Sequence, residues 1–307
     1  QLYGLAFGSD GVVLGGTQDN SNVYIDGNGN TAKSADLHNS GDGGWSAISQ
    51  LFPDAFFVES QFGRIRRNNS RSSIYHEFFS HPDAAINSAH IDYDEQWNEF
   101  VTPFVLWESK NDELVPDSTS FIGDANYLIG DDITIPSGVT NVSFDYTLDS
   151  PLNLNESIRV KNPIQSLLVY PSFQAIWVTR ESLDFSKVPS WIKVTNEGLS
   201  ASKGVGAIAI AISKDGDNLF YGTRLGEVYR VSNLSKVIDD ATAISESTVT
   251  KIASLKTKSG GGAFITSISI DPNNTENVIV TVGYYDENVN VYVSKSAVST
   301  TNQTSFS

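Results

Sequence analysis

A unit that repeats constrains this chain more than any other feature. An aliphatic strand runs into an Asp-Gly or Asp-Pro turn, a second strand ends near a glycine, and a third strand follows. Residues 205–231 carry it in full. Val205-Gly-Ala-Ile-Ala-Ile-Ala-Ile-Ser213 leads into Lys214-Asp-Gly-Asp-Asn218, then Leu219-Phe-Tyr-Gly-Thr223, then Gly226-Glu-Val-Tyr-Arg-Val231. Residues 262–293 repeat it around Asp271-Pro-Asn-Asn274 and Val278-Ile-Val-Thr-Val-Gly283. Alternation with period two, closed by Asp-Gly and Asp-Pro-Asn turns, indicates antiparallel strands joined by tight connections. Units of this size made of strands point to the blades of a β-propeller.

Six such units are expected: 3–25, 43–67, one from near Ile86 to Glu108, 166–194, 205–231 and 262–293. Setting Gly63 on Gly226 places Phe56-Phe-Val58 on Leu219-Phe-Tyr221 without a gap. The fold class is therefore all-β, a propeller of about six blade-like units with room for membership of a seven-bladed or larger ring. Residues 110–164 break the repeat yet keep strand-like runs at Ile133–Ile135, Val142–Tyr146 and Ser157–Val160. Structureless loops of that length are rare in compact domains, so the stretch reads as a small β subdomain inserted between the third and fourth units. The organisation is then 1–109 blades, 110–164 insertion, 165–295 blades, and 296–307 a linker or the start of a truncated blade. Helix is confined to turns near Asp83–Ser88 and Ser182–Phe185.

Charge narrows the partners. Lys and Arg number 20 against 36 Asp and Glu, for a net charge of −16. Nucleic-acid binding needs basic clusters that displace counterions. The one cluster, Arg64-Ile-Arg66-Arg67 with Arg71, reads as a solvated strand edge. An acidic surface suits salty or extracellular surroundings. With no cysteine there is no disulfide frame, thiolate metal site or thiol nucleophile. No apolar run reaches the ~18–20 residues of a membrane-spanning helix. The absence of Met, even at position 1, leads us to expect a processed or excised piece of a longer product.

The residues resemble a known family at three places. Gly15-Gly-Thr-Gln-Asp-Asn20, Ser40-Gly-Asp-Gly-Gly44 and Phe57-Val-Glu-Ser-Gln-Phe-Gly63 look like the successive motifs of BNR/Asp-box, sortilin-like propellers of the WD40/YVTN type. The Ile270–Gly283 stretch is similar to another blade of that family. Pro103–Glu108, a β-rich insert, Ile176–Thr179 and Leu183–Phe185 follow the order seen in large surface proteins of marine Bacteroidetes exported by the type IX system. The resemblance implies a secreted, cell-surface setting. A full Asp-box reads Ser-x-Asp-x-Gly-x-Thr-Trp; Ser40-Gly-Asp42-Gly-Gly44-Trp45 is one residue short and lacks the Thr. In that motif the Asp and Ser fold a turn.

Several groupings could carry chemistry. Xyloglucanase-type hydrolases are also built from Asp-box propellers, which makes Asp19 and Asp42 the catalytic candidates, since a glycosidase needs two carboxylates across a sugar. Both also fit turn positions, where a carboxylate accepts backbone amides. Asp26, Asn28 and Asn30 place oxygens at alternate positions as a Ca²⁺ loop does, but Thr31 and Leu37 stand where that loop needs a glycine and an acid. The pairs Asp215/Asp217 and Asp131/Asp132 are further Ca²⁺ candidates that fit hairpin turns equally well. His76 and His81 are five apart, the wrong spacing for a zincin helix. Trp107 and Trp177 read as blade packing and Trp97 as the exposed aromatic. The expected function is a non-enzymatic scaffold or adhesion module of a larger protein, without a required cofactor, acting through protein or surface-glycan contacts or self-assembly. The alternatives are a polysaccharide hydrolase using paired carboxylates and a glycan-binding module without hydrolysis.

Overall fold

The strands of the computed structural model form five successive antiparallel meanders, with 2–25, 32–34, 42–69, 77–78, 98–283, 290–301 and 306–307 as the described residues. The first sheet is β1 (Leu2–Phe7), β2 (Val13–Thr17), β3 (Asn22–Ile25) and β4 (Ala32–Ser34), in that order. The second is β5 (Gly43–Ile48), β6 (Phe56–Ser60), β7 (Arg64–Asn68) and β8 (Glu77–Phe78). The third joins β9 (Val105–Ser109) to β14 (Gln165–Pro171), β15 (Ile176–Thr179) and β16 (Ile192–Thr195). The fourth is β17 (Ala207–Ile212), β18 (Leu219–Thr223), β19 (Glu227–Ser232) and β20 (Thr248–Ser254), and the fifth β21 (Ile265–Ile270), β22 (Val278–Val282) and β23 (Val291–Ser294). Ser307 exchanges two backbone hydrogen bonds with Val293, at 3.1 and 3.2 Å, where a fourth strand of that sheet would begin.

The first strands neighbour one another in sequence order, β1 by β5, β5 by β9, β9 by β17 and β17 by β21, so the sheets fan around a common side as propeller blades do. The reason lies in strand alternation. Side chains i and i+1 face opposite sides of a sheet, and here both sides are apolar. Phe56 and Val58 enter a core shared with Ala6 and Leu14 of the first sheet, while Phe57 between them enters a core shared with Leu168 and Tyr170 of the third. Leu219 and Tyr221 meet the third sheet and Phe220 meets the fifth. Each of the four junctions thus has its own core. At the start of the series, Leu5 and Phe7 of β1 are exposed.

The Phe100–Glu108 run was expected to belong to a third unit of its own. It supplies β9, which pairs with β14 in the register Leu167 to Trp107, so that run and the fourth unit are one sheet. Ile86, where the third unit was expected to begin, lies outside the described residues. Residues 110–164 therefore interrupt a sheet between its first and second strands. They contain two two-stranded sheets, β10 (Ser118–Ile122) with β13 (Ser157–Lys161) and β11 (Asp132–Pro136) with β12 (Ser143–Thr147). Ile133, Ile135, Leu148, Leu152 and Val160 form a core of their own.

Among the described residues the one α-helix, α1 (Asp240–Ser245), opens on a capping box in which Asp239 and Thr242 bond reciprocally. Residues 182–185 form turns with no helix, and Asp83–Ser88 lie outside the described residues. Among the described residues no helix is long and apolar enough to cross a membrane.

Candidate functional site

Antiparallel meanders put alternate connections at opposite ends of the sheets. The turns from second to third strands, and the segments entering each new sheet, share one end. The three family-like motifs meet there. Asp42, just before β5, accepts a hydrogen bond from the backbone N–H of Asp19 in the β2–β3 turn and another from Gln61 Nε2 at 3.3 Å. Asp19 and Ser21 both have φ near 60°, and Ser21 bridges to Asp42. The chain comes so close that a Cβ on Gly43 would lie 2.2 Å from the Ser21 carbonyl oxygen, and one on Gly44 would lie 1.5 Å from Glu59 Oε2. Glycine at 43 and 44 is thus a packing requirement.

Glu59 is the buried centre of this node. Its carboxylate accepts the N–H groups of Trp45 at 2.9 Å, Gly63 at 3.1 Å and Thr102 at 3.2 Å, tying β5, the β6–β7 turn and the entry to β9 together. Burial pushes its pKa up to about 8, against the downward pull of those three amides. It is 0% exposed, so no substrate reaches it. Glu99 follows the same pattern: 5% exposed, raised by burial, and paired with Arg224 in the fourth sheet's β18–β19 turn. On the surface above, Phe62 and Phe100 meet edge-on at 5.4 Å and Phe100 and Tyr3 at 6.2 Å. Phe62 has φ 63°, an uncommon conformation for a bulky residue.

The opposite end carries the insertion and a device that sequence reasoning missed. Arg67 was expected on a solvated strand edge. It is 1% exposed, and its guanidinium donates to the carbonyls of Glu181, Ser182, Asp184 and Lys187 in the β15–β16 connection of the next sheet. Arg66 is 6% exposed. The reason is that β7 is an inner strand with a sheet packed on each side. Arg180, just past β15, donates to the carbonyls of Leu234, Ser235 and Val237 after β19. Arg230 in β19 donates to those of Ala297, Val298 and Thr300 after β23. In three consecutive junctions, an arginine at the third strand of one sheet clasps the connection after the third strand of the next. The signal was present: Gly63 and Gly226 align, both have positive φ, and Arg67 and Arg230 each stand four residues on.

The remaining candidates sort by position. Asp215 accepts from Ser213 and the Asp217 amide, and Asp217 from Ser235. Asp131 accepts the Leu128 amide at 2.7 Å and Asp132 the Thr147 hydroxyl at 2.6 Å. Asp215 and Asp217 sit in a turn, Asp131 precedes β11 and Asp132 begins it, and among the described residues no group of three or more His, Asp or Glu is placed to hold a metal. Trp107 and Trp177 are buried in the cores flanking the third sheet. Asp26, Asn28, Asn30, His76, His81 and Trp97 lie outside the described residues.

No known family model matches this chain, and no curated protein matches it. Among solved structures, a chain of the "Crystal Structure of Mitotic Checkpoint Complex" aligns with 95% of this chain at 8% identity and a TM-score of 0.47. The match spans 60% of that chain's length.

Proposed function

We propose that this chain is a non-enzymatic scaffold or adhesion module, part of a larger secreted or surface-displayed protein, that works through protein or glycan contacts. The five sheets are then an arc of a seven-bladed or larger ring, in keeping with the resemblance to Asp-box propellers of type IX-exported proteins. One observation carries the reading: the Asp42 carboxylate is engaged by the Asp19 amide and Gln61. A glycosidase needs two carboxyl groups roughly 5–10 Å apart facing an open groove. Here the Asp42 carboxylate links the β2–β3 and β6–β7 turns. Glu59 and Glu99, whose raised pKa values would suit a general acid, lie inside the junctions.

The test is reducing-end release from a panel of plant, algal and bacterial polysaccharides by the chain and by its Asp19→Asn and Asp42→Asn variants. The expected result is no release by any of the three. Release by the parent chain that disappears in either variant would replace this reading with the hydrolase.

A further inference from the structure

A cleft of about 310 Å³ opens at the end of the sheets that carries the insertion. One wall is Phe52, in the turn between β5 and β6. A second is Phe185 and Ser186, in the connection that Arg67 clasps. The third is Thr140 and Asn141, in the turn joining β11 to β12, and Asn69 completes the lining. The interruption of the third sheet therefore builds part of this cleft.

Its chemistry is specific in three respects. The volume falls at the lower end of the range for small-molecule sites, roughly 300–1,000 Å³. Among the described residues no charged side chain lines it, in a chain of net charge −16. An ionic ligand would find no counter-charge among those residues, which favours a neutral ligand. The lining sets two phenyl rings and the aliphatic side chains of Leu51, Val142 and Leu183 beside two amides and two hydroxyls. A sugar ring needs this combination, an apolar C–H face to lay on an aromatic and hydroxyls for groups that both donate and accept.

Two of these groups are held in place before any ligand arrives. The Arg67 guanidinium lies 4.6 Å from the centroid of Phe185 and fixes that ring. Asn141 is held at φ 57° with its backbone N–H donated to the Ser137 carbonyl at 3.0 Å. Its side-chain amide bonds to no described residue, which leaves both donors and the acceptor for a ligand. We infer that this cleft binds a short, uncharged saccharide. The inference rests on the contact-module reading and narrows its partner to a glycan held at this site.

The experiment is a glycan array probed with the chain and with Phe52→Ala, Asn141→Gly and Asp42→Ala. Phe52 is 36% exposed in a turn, so truncation there opens no core. Glycine accepts the positive φ of position 141, and Asp42 lies at the other end. Circular-dichroism melts establish that each variant is folded. The expected result is binding to neutral saccharides, weakened at least tenfold by Phe52→Ala and by Asn141→Gly and unchanged by Asp42→Ala. Neutral saccharides bound equally by all four proteins would refute the cleft and leave the contact-module reading standing. Binding confined to acidic glycans would overturn the assignment of an uncharged ligand, and binding to none would overturn the glycan assignment and leave a protein-binding module.

Discussion

Replacing Arg67 with Met tests the arginine clasp directly. The native guanidinium donates to four carbonyls at 3.3, 2.9, 2.9 and 2.6 Å and lies 4.6 Å from the Phe185 ring centroid. Met fills much of the same volume but removes the donor to Ser182, Asp184 and Lys187, while the Glu181 carbonyl keeps the Asp184 N–H at 3.1 Å. Hydrogen bonds to charged groups contribute about 1.5–3 kcal/mol each, and a buried acceptor left unsatisfied costs about 1–3 kcal/mol. These terms are not additive, since the 181–187 connection can relax toward water. A loss of about 3–5 kcal/mol is the expected total, two or three such terms together. That is a large fraction of the ~5–15 kcal/mol that holds a typical domain together. Arg67→Lys keeps the charge but not the planar fork, and its loss should be intermediate. The assay is urea unfolding, with hydrogen exchange locating the loosened amides at 181–187. Arg180→Met and Arg230→Met should behave alike at their own junctions, and Arg67→Met with Arg230→Met should add within about 0.5 kcal/mol. An unfolding free energy for Arg67→Met within about 1 kcal/mol of the parent would show the clasp to be incidental.

Two further outcomes follow from the node at the other end. Glu59 binds its proton more tightly folded, near pKa 8, than unfolded, near 4.5. It therefore adds stability below the unfolded value that is lost as pH rises through about 8. Unfolding free energies from urea melts should fall between pH 5 and 9 by an amount on the order of a few kcal/mol, and Glu59→Gln should flatten that slope even though the Nε2 that replaces Oε2 cannot accept the Trp45 N–H. An Ala side chain at Gly16 would bring Cβ to 1.9 Å from the Gly44 carbonyl oxygen, backbone against backbone; Gly16→Ala should cost about 3 kcal/mol or more. At Gly138 the nearest atom is 3.7 Å away, and Gly138→Ala should melt within about 0.5 kcal/mol of the parent.

The strands themselves were legible because their two-sided burial writes an aliphatic run such as Ala207–Ile212 between turn-forming Asp and Gly. Pairing was not. That β9 joins β14 across residues 110–164 is a long-range choice made by cores on both sides, and nothing local to Val105–Ser109 encodes it. The arginines were misread for a related reason. A charge run usually marks a solvated face, but a planar donor with five N–H groups can instead be buried against carbonyls, and only the neighbouring sheet supplies those. The motif residues were legible as turn formers. Glu59, inside one of those motifs, carried no sign of its burial until Gly44 was seen to leave space for it.

Hydrogen exchange with and without a bound saccharide tests the central claim most directly, because the two ends of the sheets make opposite predictions. If the insertion-bearing end is the working face, protection should rise at 51–52, 140–142 and 183–186 and stay unchanged elsewhere. Protection centred instead on 17–22, 42–45 and 60–63 would place the ligand on the carboxylate end and contradict the account.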